Sequence, residues 1–196
     1  MSEIKVDKIS PQSGTALQIG DASDVITIPA SATITNLGTA TGFGLYASIA
    51  IICDQKAYNA TGGTLTAGAW RTRDLNTEIS DADGIVSIST NQFTLGAGTY
   101  TINWQTVTQT TDRGTTRLYN ITDTSVEQYG ITQFATGGYT QATILGKDVV
   151  TISGAKAFEI QHYTSATSAT YGFGVDFSQD SGAVSIFTIV EILKHS

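Results

Sequence analysis

From residue 45 onward the chain repeats one pattern. Short runs with an apolar residue at every second position are cut by glycine-containing turns. Tyr100, Ile102 and Trp104 alternate with Thr101, Asn103 and Gln105. Phe158, Ile160 and His162 alternate with Glu159 and Gln161. Period-two alternation puts one set of side chains on one face of a strand and the other set on the opposite face. Leu45–Ile52 and Val184–Leu193 are nearly continuous apolar runs and read as central strands. Phe93 and Leu95 mark another strand, as do Leu118 and Tyr119. Ile144 and Leu145 are expected to end a strand at Gly146, with Val149, Val150 and Ile152 beginning the next. Turns fall at Gly62-Gly63, Asp83-Gly84, Asp112-Arg113-Gly114, Gly137-Gly138 and Asp180-Ser181-Gly182. Eight or more short strands in this span predict an all-β sandwich or barrel. Composition agrees: 32 Thr, 17 Ser and 20 Gly displace the charged residues, which fall to 14%.

The first 44 residues differ. They hold both prolines, Pro11 and Pro29, and Phe43 is their only aromatic. Apolar pieces such as Ile4, Val6 and Ile9 are too small to bury a core alone. Three copies around one axis could bury them, so residues 1–44 are expected to form an extended trimeric arm or stalk. Its docking residues would be Ile4, Val6, Ile9 and Pro11. Plain disorder is the alternative for this segment. Residues 45–196 are expected to form the head domain.

Charge and cysteine usage exclude several classes. A net charge of −7 leaves no basic stripe for nucleic acid. No apolar run of about 18 residues exists, so membrane insertion through a helix is not expected. The opening lacks the apolar core of a secretory signal, which predicts a chain made in the cytosol and unprocessed. A single cysteine, Cys53, excludes an internal disulfide and a cysteine-rich zinc site.

The chain offers little catalytic chemistry. It has neither a Gly-x-Ser-x-Gly elbow nor a His-Glu-x-x-His helix. His162 sits on a strand and reads as a structural histidine at a sheet or subunit interface. Glu78, Asp81 and Asp83 form the one local acidic cluster. It fits a solvated turn best, although a calcium loop or a glycosidase pair uses the same residue types. Arg71 and Arg73 stand near enough in sequence to pair with these acids. No catalytic residue, metal or cofactor is assigned.

Tyr171, Phe173 and Phe177 alternate with glycine in 171–177. This suits a strand with one flat face that a second subunit approaches, or a bulged internal strand. A subunit interface is therefore expected at Tyr171, Phe173, Phe177 and His162. Loop aromatics Tyr58, Tyr129, Phe134, Tyr139 and Tyr163, among Thr, Asn and Gln, suit stacking on sugars and hydrogen bonding to their hydroxyls.

Several phrases occur in a familiar order. They are Trp70-Arg71-Thr72-Arg73-Asp74-Leu75-Asn76-Thr77, then Phe93-Thr94-Leu95-Gly96-Ala97-Gly98-Thr99-Tyr100-Thr101-Ile102, Arg117-Leu118-Tyr119-Asn120 and Phe158-Glu159-Ile160-Gln161-His162. Their order over residues 46–194 resembles the tumour-necrosis-factor-like, complement-type jelly roll, in the form found at the ends of bacteriophage fibres. The opening Ile4-Lys5-Val6-Asp7-Lys8-Ile9-Ser10-Pro11 is similar to the openings of small phage virion proteins. The resemblance implies a homotrimer located in the virion. The arm would join other virion proteins, and the head would bind a host cell-surface glycan without catalysis. A capsid decoration or head-fibre protein, or a polysaccharide-degrading spike enzyme, are the alternatives. The chain lacks the collagen stalk of the complement relatives, which counts against a complement-like role.

Overall fold

The computed structural model describes residues 46–176 and 182–195, together with Val25 and Thr27. Ile4, Val6, Ile9, Pro11 and Phe177 lie outside the described residues. The chain divides into two units, Met1–Ala40 and Thr41–Ser196, and the architecture below is that of the second.

Among the described residues twelve strands follow one another: β1 (Tyr46–Lys56), β2 (Arg71–Thr72), β3 (Thr77–Ser80), β4 (Val86–Ser89), β5 (Gln92–Leu95) and β6 (Gly98–Gln109). Then come β7 (Asp112–Asn120), β8 (Ser125–Tyr129), β9 (Gln133–Ala135), β10 (Gln141–Ile152), β11 (Lys156–Thr164) and β12 (Ser185–His195). The first sheet runs β10-β6-β12-β1-β3. The second runs β4-β5-β11-β7-β8, with β2 also pairing β11 and β9 pairing β7. Every strand pairing is antiparallel. The chain crosses between sheets at every step except β4 to β5, β7 to β8 and β8 to β9. Sequence neighbours thus rarely pair, and the first and last strands lie side by side. This is a jelly roll.

The alternating apolar residues meet between the sheets. Ala50, Ile52, Phe93, Leu95, Tyr100, Ile102, Trp104, Leu118, Phe158, Ile160, Val190 and Ile192 form one buried cluster. Phe93 and Phe158 stack with ring centres 5.6 Å apart. Each large side chain removed from water contributes roughly 1.5–3 kcal/mol, so the period-two pattern supplies the main drive for closing the two sheets.

Two expectations are corrected. Gly146 does not end a strand: β10 runs unbroken through it, opposite Trp104 on β6. A Cβ at Gly146 would fall 1.9 Å from Trp104 Cζ2, so glycine is there to let the indole lie across the strand. Trp104 Nε1 then donates to Thr116 Oγ1 at 2.8 Å, which satisfies its buried N–H. The stretch 171–176 is a turn and loop with no strand. Its glycines serve close approach within the subunit. A Cβ on Gly172 would lie 2.4 Å from Leu65 N, and Gly62 N donates to Gly174 O at 3.0 Å.

Candidate functional site

The outward face of the second sheet carries the densest chemistry. On β7 the odd-numbered residues Arg113, Thr115, Arg117 and Tyr119 point away from the core, while Thr116, Leu118 and Asn120 are buried. Register fixes their neighbours. On β11, Tyr163 lies opposite Thr115 and Gln161 opposite Arg117. On β8, Tyr129 faces Arg117, and on β9 Phe134 faces Arg113. Trp70 precedes β2, whose Thr72 pairs with Gln161.

These residues form a continuous platform. Trp70 packs against Tyr163 at 5.5 Å and Tyr129 at 6.0 Å between ring centres. The Arg117 guanidinium lies 4.2 Å from the Trp70 ring centre and 4.5 Å from that of Tyr119, so it is held between two π faces. Its Nε and Nη2 donate to Gln161 Oε1 at 2.9 and 2.7 Å. Gln161 Nε2 donates onward to Glu159 Oε2 at 2.7 Å. Thr72 Oγ1 and Gln92 Nε2 also donate to the Glu159 carboxylate. Arg117 is therefore fixed in place by a polar chain that ends on a buried, fully engaged acid.

Beside the platform opens a cleft of about 640 Å³. Phe134 and Tyr163 supply its aromatic walls, Arg113 its charge, and Thr115, Thr132 and Ser165 its hydroxyls. The Arg113 guanidinium sits 5.9 Å from the Phe134 ring centre and makes no ion pair among the described residues. Rigid aromatic area with a few convergent polar groups is the usual make-up of a ligand site.

The loop aromatics proposed from sequence separate. Phe134, 58% exposed, lines the cleft, and Tyr129 joins the platform. Tyr139, 88% exposed, stands at the tip of the turn closed by Thr140 N donating to Gly137 O. Tyr58 is half-buried in the turn after β1. Neither Tyr58 nor Tyr139 lines the cleft. Trp70, Arg113, Arg117 and Tyr163 carry more of the site than those two. The odd-numbered run from Arg113 to Tyr119 was the sequence signal for it.

The residues expected at a subunit interface differ in exposure. His162 is 0% exposed and has no surface to offer a partner. Its Nδ1 lies 3.3 Å from Arg73 Nη1. Arginine can only donate, so the ring accepts there and its proton is assigned to Nε2. Burial, and secondarily the charge of Arg73, holds the His162 pKa well below the usual value. Phe173 is half-buried, its ring centre 4.6 Å from the Arg73 guanidinium. Tyr171 is exposed on the same loop.

Arg73 does not pair with Glu78, Asp81 or Asp83. It is fully buried inside the sandwich. Its guanidinium donates to the carbonyls of Val107, Phe173 and Phe187 at 2.9, 3.0 and 2.6 Å, and to Thr188 Oγ1 at 2.9 Å. Burial pulls its pKa down to about 9, which is still above neutrality, and the fields of Asp54 and Asp74 oppose that fall. Asp81 instead closes the turn before β4, accepting from Ile85 N and Val86 N at 2.8 and 2.9 Å. Cys53 is buried, and burial pushes its thiol pKa up, which suits a packing role.

The outward face of the first sheet is different in kind. Ile49, Leu145, Val149 and Ile186 are exposed there. Ile51, Ile189 and Leu193 lie among them, half-buried. Polar residues share this face: Gln105, Thr143 and Lys147 are exposed on it, and Asn103 Nδ2 donates to Glu191 Oε2 at 2.7 Å.

No protein-family model and no curated protein matches the sequence. Among solved structures, mouse APRIL at pH 8.0 aligns with a TM-score of 0.49 at 7% identity, covering 75% of this chain and 98% of that one. The globular domain of the zebrafish complement 1qA protein aligns with a TM-score of 0.48 at 15% identity, covering 75% and 96%. The jelly-roll assignment rests on the chain's own strand order.

Proposed function

We propose that this chain is a non-enzymatic, homotrimeric virion fibre or spike protein whose jelly-roll head binds a glycan on the host surface. The observation that carries the reading is the cleft between Phe134 and Tyr163, with Arg113 at its edge and the Trp70–Arg117–Tyr119 stack beside it. Aromatic faces match the C–H faces of sugar rings, and the surrounding hydroxyls and guanidinium match their oxygens. A binding role without catalysis is supported by Glu159, which accepts three hydrogen bonds and is nearly buried. A carboxylate so engaged is poorly placed to move protons.

Assembly would use the opposite sheet. Exposed Ile49, Leu145, Val149 and Ile186 put apolar area on a mixed face, and that area costs free energy in water and gains by packing against copies of the chain. The resemblance of the strand phrases to trimeric jelly rolls supplies the number three. The arm, residues 1–44, would dock to the particle. Three weak sites on one trimer, and several trimers on one particle, raise avidity without new contacts.

Binding of the full-length protein to an oligosaccharide array tests the reading. The wild type is expected to retain a defined set of sugars, and Phe134→Ala and Tyr163→Ala each to weaken that binding by about tenfold or more. Phe134 is largely exposed, so its removal should leave the melting temperature nearly unchanged. An array that stays blank, or variants that bind like the wild type, would sink the proposal.

A further inference from the structure

We infer that the sugar taken by this cleft carries a carboxylate, as a uronic or sialic acid does. The inference rests on the glycan-binding reading above and narrows it to a chemical class.

Of the ten basic residues in a chain of net charge −7, two stand on this one outward strand face. Their situations differ. Arg117 has its Nε and Nη2 committed to Gln161 and both faces covered by Trp70 and Tyr119. Arg113 is exposed, lines the cleft and leaves its guanidinium without a hydrogen bond or ion pair among the described residues. The nearest acid in sequence, Asp112, accepts from Ser165 Oγ at 3.1 Å. Asp112 does not line the cleft.

A neutral sugar would use Phe134 and Tyr163 as stacking surfaces and leave the Arg113 charge unanswered. A carboxylate answers it. The guanidinium fork presents paired donors that match two carboxylate oxygens, and such charge-assisted bonds are about twice as strong as neutral ones. The Phe134 ring beneath the guanidinium gives it a seat from which it can reach over the cleft. Thr132 offers its hydroxyl to the sugar, whereas those of Thr115 and Ser165 already donate within the chain, to Gly130 O at 3.0 Å and Asp112 Oδ2 at 3.1 Å.

The test compares acidic oligosaccharides with the same molecules after reduction of their carboxyl groups to alcohols, by calorimetric titration of the full-length protein. Uronic-acid and sialylated oligosaccharides are the probes. Carboxyl reduction is expected to weaken binding by about tenfold or more. Arg113→Gln is expected to weaken binding of the acidic probe to the level of the reduced one, with no further effect on the reduced one. Equal binding of acidic and reduced probes overturns the inference and leaves the glycan reading standing. So does an Arg113→Gln variant that keeps the preference for acid. If neither kind of probe binds, and neutral oligosaccharides do not either, both the inference and the glycan reading fall.

Discussion

Replacing Arg73 by methionine is expected to cost the head about 3 kcal/mol at neutral pH. The side chain keeps its apolar stem, so the cavity left is small. What is lost is the donor set. Val107 O, Phe173 O and Phe187 O are left in the interior with one partner fewer, and Thr188 Oγ1 loses its 2.9 Å bond. Each buried polar group deprived of its partner costs about 1–3 kcal/mol. The gain from no longer burying a charge offsets part of this, since burial drags the Arg73 pKa to about 9 even against the fields of Asp54 and Asp74. The guanidinium also ties β6, β12 and the 171–176 loop together, so its loss should free that loop. The expected readout is a melting temperature lower by roughly 6–12 °C, measured at fixed protein concentration. Hydrogen exchange should speed up first at Gly172–Gly174. A methionine variant as stable as the wild type would mean that the charge burial costs as much as the carbonyl cage returns.

Gly146→Ala is the second large effect. The added Cβ meets Trp104 Cζ2 at 1.9 Å and Cε2 at 2.0 Å, well inside van der Waals contact. β10 is bound along its length to β6 and cannot shift one residue without turning its other side chains over. The indole must therefore move, and in moving it gives up the bond to Thr116. Overpacking and a lost buried hydrogen bond together are expected to cost about 3 kcal/mol. The near-ultraviolet circular dichroism of the indole should change as well. An unchanged spectrum with unchanged stability would show that Trp104 does not lie across Gly146.

Much of this architecture was legible in the sequence, because alternation is a local signal. β5, β6, β11 and β12 follow directly from Phe93, Tyr100–Trp104, Phe158–His162 and the closing apolar run. Local pattern failed where tertiary contact overrides it. Gly146 reads as a break until the indole opposite is known. The 171–177 alternation reads as a strand, yet its glycines admit the backbone at 62–65 from more than a hundred residues away. Arg73 reads as a surface charge because no sequence rule expects an arginine to be held by carbonyls in a core.

The site was half legible for the same reason. Phe134, Tyr129 and Tyr163 were picked out as loop aromatics, although they stand on β9, β8 and β11, as were Tyr58 and Tyr139, which lie outside the cleft. Arg113, Arg117 and Trp70 join the site through strand register, which pairs Arg113 with Phe134 and Arg117 with Tyr129 and Gln161. Register depends on the order of strands in the sheet, and that order is set by the whole fold.

In the proposed function assembly falls to one outer face and recognition to the other, and assembly supplies the avidity that makes weak sites effective. The mass of the full-length protein in solution, from sedimentation equilibrium at micromolar concentration, tests it most directly. A single species of about 62 kDa, three times the chain mass of 20.6 kDa, is the expected result. A stable monomer of 20.6 kDa, with Ile49, Leu145, Val149 and Ile186 left in water, would contradict the account, and so would a closed dimer.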